Sequence, residues 1–140
     1  MTPPLRYLLD TNVLSETRKK AADLGVIAFL TKADPTSLHI SVLTLGELRK
    51  GVVQKQPTDA SGAQSIAAWV GGLEFGFADR ILDVDAPIAR LWGELSAQRP
   101  RPVVDTLLAA TAIVHDLTFV TRNTGDVRDI DVKLLNPFSR

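Results

Sequence analysis

An open, mostly parallel α/β sheet with helices on both faces is the fold class this sequence predicts, and three observations carry that prediction. Short apolar segments alternate with longer stretches of helical periodicity from one end of the chain to the other. The strand-like segments run directly into turn- and cap-forming residues, as strand-to-helix connections require. No Pro/Gly-rich linker, repeat or low-complexity block divides the 140 residues. That length suits one domain, taken as 1–140 with its patterned region at about 6–138, and lets roughly two-thirds of the unfolded surface be buried.

Arg6–Leu9 (RYLL) reads as the first strand, stopped by Asp10-Thr11-Asn12, residues of a turn or helix cap. From Asp23 to Lys32, Leu24, Ile27, Ala28 and Phe29 recur at helical spacing. Leu38–Val42 (LHISV) reads as a second, buried strand, followed by a helix over Leu43–Gln54 with Leu45, Leu48, Val52 and Val53 on one face. Pro57-Thr58-Asp59 breaks the chain before a helical stretch from Ala60 to about Ala78, which Gly62, Gly71, Gly72 and Gly76 weaken. Arg80–Val84 (RILDV) is a third strand, and Asp85 with Pro87 starts a helix over Ala86–Gln98. Pro100-Arg101-Pro102 ends that helix. Val104–Asp116 is the most apolar helix and so is expected between the sheet and other helices. Leu117–Thr121 (LTFVT) and Val132–Leu135 (VKLL) complete five strands.

Composition removes several kinds of chemistry. There is no cysteine, which excludes disulfides, thiolate zinc, iron–sulfur clusters and a cysteine nucleophile. Basic and acidic residues number 16 each, so the formal net charge is zero and generic DNA coating has no support. The start lacks a charged region followed by a long apolar stretch, and no apolar run approaches the ~18 residues of a membrane span. A soluble cytoplasmic protein with no membrane partner is the expectation. Gly-x-Ser-x-Gly, Walker and Gly-x-Gly-x-x-Gly patterns are absent. His39, inside a strand, and His115, near a helix end, do not form a metal-ligand spacing. Trp69 and Trp92 lie on apolar helical faces and read as core or interface residues.

In sheets of this class the ligand crevice lies outside the carboxyl ends of the strands, where strand order reverses. Asp10 directly follows the first strand, and Asn123 and Asp126 follow LTFVT. Glu47 lies one to two turns into the helix after the second strand, and Asp105 in the first turn of the apolar helix. Each acid has an ordinary structural role open to it. Asp10 suits a helix cap, Glu47 a pairing with Lys50, Asp105 a dipole contact and Asp126 a turn. Four carboxylates at one edge, however, repel one another unless protonated or bound to a cation, and hard divalent cations take such oxygen ligands.

The segments LLDTNVLSE (Leu8–Glu16), ISVLTLGELRKG (Ile40–Gly51), RPVVDTLLAATAIVHDLTFVTRNTGD (Arg101–Asp126) and LLNPF (Leu134–Phe138) closely resemble PIN-domain ribonucleases of the VapC/FitB toxin type. The likeness runs nearly end to end in the same order. It implies a single PIN-like domain and a magnesium- or manganese-dependent endoribonuclease, the toxin of a type II toxin–antitoxin pair. It also implies a homodimer, inhibition by a small VapB-like antitoxin, and operator DNA bound only through that antitoxin.

Carried over by position, the family's acidic quartet falls on Asp10, Glu47, Asp105 and Asp126. Asp10 and Asp105 would be the principal metal ligands, with Glu47 and Asp126 completing the site directly or through water. Thr11 and Asn12 take the polar positions beside the first aspartate, and Thr121 and Asn123 the hydroxyl and amide positions before the last. Val127 departs from the family, where an aromatic residue often follows the fourth acid. Asp129 and Asp131 stay open as substitutes for Asp126. Glu16 is more simply paired with Arg18–Lys20. Arg49, Lys50, Arg101 and Arg122 are candidates for drawing in the RNA backbone. The alternatives are a haloacid-dehalogenase-like phosphatase, disfavoured by Asn12 where a second aspartate is needed, and a non-catalytic module such as a receiver or a degenerate PIN domain.

Overall fold

Tyr7–Leu9 forms β1, and the pleat sends its two buried leucines to opposite faces of the sheet. The computed structural model describes residues 4–139, so Met1–Pro3, part of the start read above for targeting signals, and Arg140 lie outside the description. Leu8 packs into one core with α5 (Ala86–Gln98) and α6 (Val103–Val114). Leu9 packs into another with α1 (Thr11–Glu16) and α2 (Leu24–Lys32). The same division recurs in β4 (Thr118–Val120), where Phe119 joins the first core and Val120 the second. It recurs again in β3 (Ile81–Leu82) and β5 (Leu134–Leu135). β2 (Leu38–Ser41) buries Leu38 and Ile40 on the α1–α2 side. A third cluster joins α3 (Val42–Lys55) to α4 (Ala60–Gly76) through Leu48, Val52, Ala63 and Val70, with Trp69 and Leu73 linking it to the second core.

The strand order is β3-β2-β1-β4-β5, and every pairing is parallel. From β1 the chain winds outward to β2 and β3 through α1–α4, then returns through α5 and α6 on the other face to β4, beside β1. Strand order therefore reverses between β1 and β4, which places the crevice at their carboxyl ends. Register pairs Leu8 with Phe119 and Leu9 with Val120, so Asp10 and Thr121 emerge side by side there.

Aspartate or serine side chains cap five of the helices: Asp10, Asp23, Ser41, Asp59 and Asp85 for α1 to α5. The sequence expectations of helices over Asp23–Lys32 and Ala86–Gln98 correspond to α2 and α5. Several others need correction. The Asp10 cap opens a short helix, α1, that alternation did not reveal. Val42 begins α3 instead of ending a strand, because Ser41 caps there and accepts a bond from the Leu43 N–H at 3.0 Å. Val53, placed on the apolar face of α3, is 57% exposed. α4 runs unbroken through Gly62, Gly71 and Gly72 and ends at Gly76. α6 stops at Val114, because the chain turns at Asp116 with φ 53°. The strands are shorter than read, leaving Arg6, Leu117, Thr121 and Val132 outside them. Among the described residues no helix is long and apolar enough to cross a membrane.

Candidate active site

Asp10 is fixed by both neighbours of the crevice. It is 4% exposed, and its own N–H donates to the Val120 carbonyl at 2.9 Å, tying it to β4. Its Oδ1 accepts from the Thr11 N–H at 2.7 Å, while Oδ2 accepts from the Thr121 hydroxyl at 2.7 Å and the Asn12 amide at 3.2 Å. Asn12 in turn accepts from the Arg122 N–H at 3.4 Å, and Thr121 Oγ1 from the Asn123 N–H at 3.0 Å. Thr11, Asn12, Thr121 and Asn123 thus lace the two strand ends together around one carboxylate. Burial pushes the Asp10 pKa up, the Thr121 and Thr11 bonds oppose that, and the Glu47 charge adds to the rise.

Glu47 lies on the exposed side of α3, and its Oε1 accepts from the Thr11 hydroxyl at 2.6 Å. Thr11 also shares a hydroxyl–hydroxyl bond of 3.3 Å with Thr44, a fully buried threonine that sequence reasoning did not single out. The pairing of Glu47 with Lys50 considered above is not among the ion pairs of the described residues. Asp105 occupies the first turn of α6 and Asp126 the last position of the 3-10 turn Thr124–Asp126 after β4. Burial first, then the charges of Asp10, Asp126 and Glu47, push the Asp105 pKa up to about 6, and a hydrogen bond with Asp126 adds to the effect. Asp105 therefore lies within electrostatic reach of the other three acids.

They do not yet grip. Among the described residues, no three His, Cys, Asp or Glu side chains converge closely enough to hold a metal ion as they stand. Unscreened carboxylates repel, and the Glu47 carboxylate is bonded to the Thr11 hydroxyl. The donor set itself is all oxygen, anionic and partly desolvated, which is the chemistry a hard divalent cation requires.

The substitutes for the fourth acid fall elsewhere. Asp129 is taken by two guanidinium groups, those of Arg99 and Arg101. Asp131 lines a cavity with Asp116, Leu117 and Lys133, at the amino end of β4, away from the crevice. Of the basic candidates, Arg49 and Lys50 are exposed on α3, and Arg122 is exposed with its guanidinium 4.6 Å from the Phe138 ring. Arg101 has no free guanidinium to offer RNA, because its side chain is 1% exposed and its nitrogens are bonded to Leu95, Gln98 and Asp129. Glu16 pairs with Lys19 at 2.9 Å and accepts from the Asp23 N–H. His39 bonds to the Tyr7 and Ser37 carbonyls and His115 ends α6, both remote from the acids. Val127 is fully buried in the core and offers nothing to the crevice.

Comparison with known proteins gives the family of the chain. The PIN domain family matches residues 7–133. Toxin FitB of Neisseria gonorrhoeae is 32% identical over 94% of this chain and 97% of its own length. The crystal structure of FitAcB from that organism superposes with a TM-score of 0.85, at 31% identity, covering 94% of this chain and 97% of that one. VapC ribonuclease Y4jK of Sinorhizobium fredii is 29% identical over 94% of this chain and 96% of its own. VapBC2 of Rickettsia felis, solved bound to a DNA fragment from its promoter, gives a TM-score of 0.72 at 25% identity over 94% of this chain and 98% of that one. With the family matched across nearly the whole described chain and the acids gathered at the β1–β4 reversal, the chain belongs to the PIN domain family, on its VapC/FitB-like branch.

Proposed function

We propose that this protein is a divalent-metal-dependent endoribonuclease, the toxin of a type II toxin–antitoxin module, using Mg2+ or Mn2+ at Asp10, Glu47, Asp105 and Asp126. The observation that carries the reading is the buried Asp10 carboxylate, held by Thr11, Asn12 and Thr121 at the adjacent carboxyl ends of β1 and β4, with Glu47 bonded to the same Thr11. The names of the relatives, a toxin and a VapC ribonuclease, support it.

Each residue has a definable task. Asp10 presents a carboxylate whose orientation is set by three donors, so its remaining lone pairs keep one direction. Thr11 keeps Glu47 within reach of the crevice. Asp105 stands in the first turn of α6, where the helix dipole favours its anionic form once the opposing charges are neutralised. Thr121, Asn12 and Asn123 hold the strand ends in register. Asp10, Glu47, Asp105 and Asp126 would hold the divalent cation, whose chemistry when bound would be activation of water and charge neutralisation in phosphodiester hydrolysis. Arg49, Lys50 and Arg122, exposed near the acids in sequence, are the groups to draw in the RNA backbone. The same reading includes a homodimer, a cytoplasmic location, and a VapB-like antitoxin that carries the operator contact, as the promoter-bound VapBC2 structure suggests by analogy.

Purified protein should cut structured RNA with Mg2+ or Mn2+, stop when the metal is chelated, and lose at least about 100-fold in rate as Asp10→Asn. Cleavage that survives either treatment overturns the proposal. Hydrolysis of a phosphomonoester instead would support the phosphatase alternative. Co-expression with the adjacent small open reading frame, followed by co-purification, tests the antitoxin.

A further inference from the structure

Residues 124–131, between β4 and β5, carry Asp126, and few polar contacts tie this segment to the rest of the molecule. Val127 and Ile130 anchor it in the core. The bonds from the Val127 N–H to the Thr124 carbonyl (3.2 Å) and from the Ile130 N–H to the Val127 carbonyl (3.0 Å) only shape the segment itself. Among the described residues, its remaining hydrogen bonds are a local one from the Val132 N–H to the Ile130 carbonyl (2.8 Å) and those to Arg99 and Arg101, apart from the contact between Asp126 and Asp105.

Those arginine contacts are built with care for geometry. Arg99 donates through Nε at 3.0 Å and Nη2 at 2.9 Å to the two oxygens of Asp129, a bidentate pair. Arg101 adds Nη1 at 3.0 Å to Oδ1, and its other nitrogens are committed to the Leu95 carbonyl at 2.8 Å and Gln98 Oε1 at 2.9 Å. Arg101 is thus a buried, immobile anchor, and Arg99 closes on the same carboxylate from the exposed side. An isolated surface ion pair contributes little, but a bidentate network with one buried member is the exception. The two guanidinium groups hold the Asp129 carboxyl well below the usual carboxylate range.

We propose that Asp129, gripped by Arg99 and Arg101, is a positioning residue that fixes Asp126 relative to Asp105 and thereby sets the affinity of the site for its metal. The inference rests on the metal-nuclease reading above. Both ends of the grip sit a short stretch of chain from a site acid: Arg101 lies four residues before Asp105, and Asp129 three residues after Asp126. Asp105 and Asp126 repel each other when ionised, so a segment released from the arginines would relieve that strain by moving Asp126 outward. Arg99 also reaches the segment directly at Asp126, its Nη2 donating to the Asp126 carbonyl at 3.5 Å.

The test is a calorimetric Mn2+ titration without RNA, on the wild type, Asp129→Asn, Arg99→Gln and Lys133→Gln. Lys133 pairs with Asp116 in an exposed contact of 3.1 Å at the far end of the sheet, which makes its variant the control for losing any surface ion pair. Asp129→Asn should weaken Mn2+ binding by about 10-fold or more. The metal concentration for half-maximal RNA cleavage should rise in step, with the rate at saturating metal held within about threefold. Arg99→Gln should shift both in the same direction by less, and Lys133→Gln should shift neither. If Asp129→Asn fails to fold, as its circular dichroism would reveal, Arg99→Gln decides the matter. Wild-type binding matched by both triad variants overturns the positioning role alone. A wild type that takes up no Mn2+ overturns the metal reading beneath it.

Discussion

Asp105 stands where a helix dipole ordinarily holds a carboxyl's pKa down, yet its pKa is pushed up to about 6 from an ordinary 3.8. Burial and three neighbouring carboxylates outweigh the helix. A folded-state pKa above the unfolded one means the native protein keeps a proton that the unfolded chain has already released. The stability this lends the metal-free fold is complete below pH 3.8 and is lost as pH rises through about 6. Asp105→Asn should therefore raise the melting temperature in chelator at about pH 7.5, relative to wild type, and leave it nearly unchanged at about pH 4. The same variant should abolish the rise in melting temperature that Mn2+ gives the wild type at neutral pH. A variant that melts lower than wild type at pH 7.5 would show the carboxylate to be net stabilising without metal and would refute the argument. On the proposed metal-nuclease reading, Asp105 would lower the stability of the metal-free fold in exchange for affinity, a common compromise at functional positions.

At the scale of elements, α2 and the C-terminal tail are joined through one side chain. Asp23 caps α2 by accepting from the Gly25 N–H at 2.9 Å and the Val26 N–H at 3.1 Å, and also accepts from the Ser139 N–H and hydroxyl, each at 2.9 Å. A Cβ at Gly25 would overlap the Pro137 carbonyl oxygen, so the tail lies directly on the helix start. The Ser139 bonds chiefly, with those of Val26 and Gly25, lower the Asp23 pKa to about 2. Asp23→Ala should lower the melting temperature by about 5 °C at neutral pH. Because the folded pKa is depressed, the ionised side chain's contribution is present above pH 3.8 and fades as pH falls toward about 2. The gap between variant and wild type should narrow accordingly in acid melts; a gap that persists at about pH 2 would mean packing, not the carboxylate, accounts for it. How far elements like these were legible in sequence depended on the range of the contacts that make them. Asp85 and Pro87 mark the start of α5 because a cap is a local device. α1, six residues whose only buried apolar side chains are Val13 and Leu14, is too short for periodicity to reveal. The acids at Asp10 and Asp126 stood out because they follow strands. What separates Asp126 from Asp129 is a pair of arginines 30 and 28 residues away from Asp129, and what orients Asp10 is a threonine 111 residues on, contacts that only the folded chain makes local.

For the whole molecule the consequential quantity is charge and where it lies. The formal net charge of zero sums two regions, since setting aside the four crevice acids leaves 16 basic residues against 12 acids. Some of those bases are spent internally: Arg101 on Asp129, Arg80 on the Leu38 and Gly76 carbonyls. Others, including Arg49, Lys50 and Arg122, remain exposed. A polyanion approaching the crevice without metal meets unscreened carboxylates on a chain whose other side chains carry a small excess of positive charge, so repulsion at the acids offsets attraction elsewhere on the surface. Removing two of the central charges should expose the attraction. In chelator and low salt, an Asp10→Asn/Asp105→Asn double variant should bind a short single-stranded RNA about 3- to 10-fold more tightly than wild type, and raising the salt to about 0.2 M should erase most of the gain. Fluorescence anisotropy at fixed pH reads both effects. A double variant that binds no more tightly than wild type would mean that RNA enters by a route the four acids do not face, and the crevice would lose its place as the point where the backbone is held.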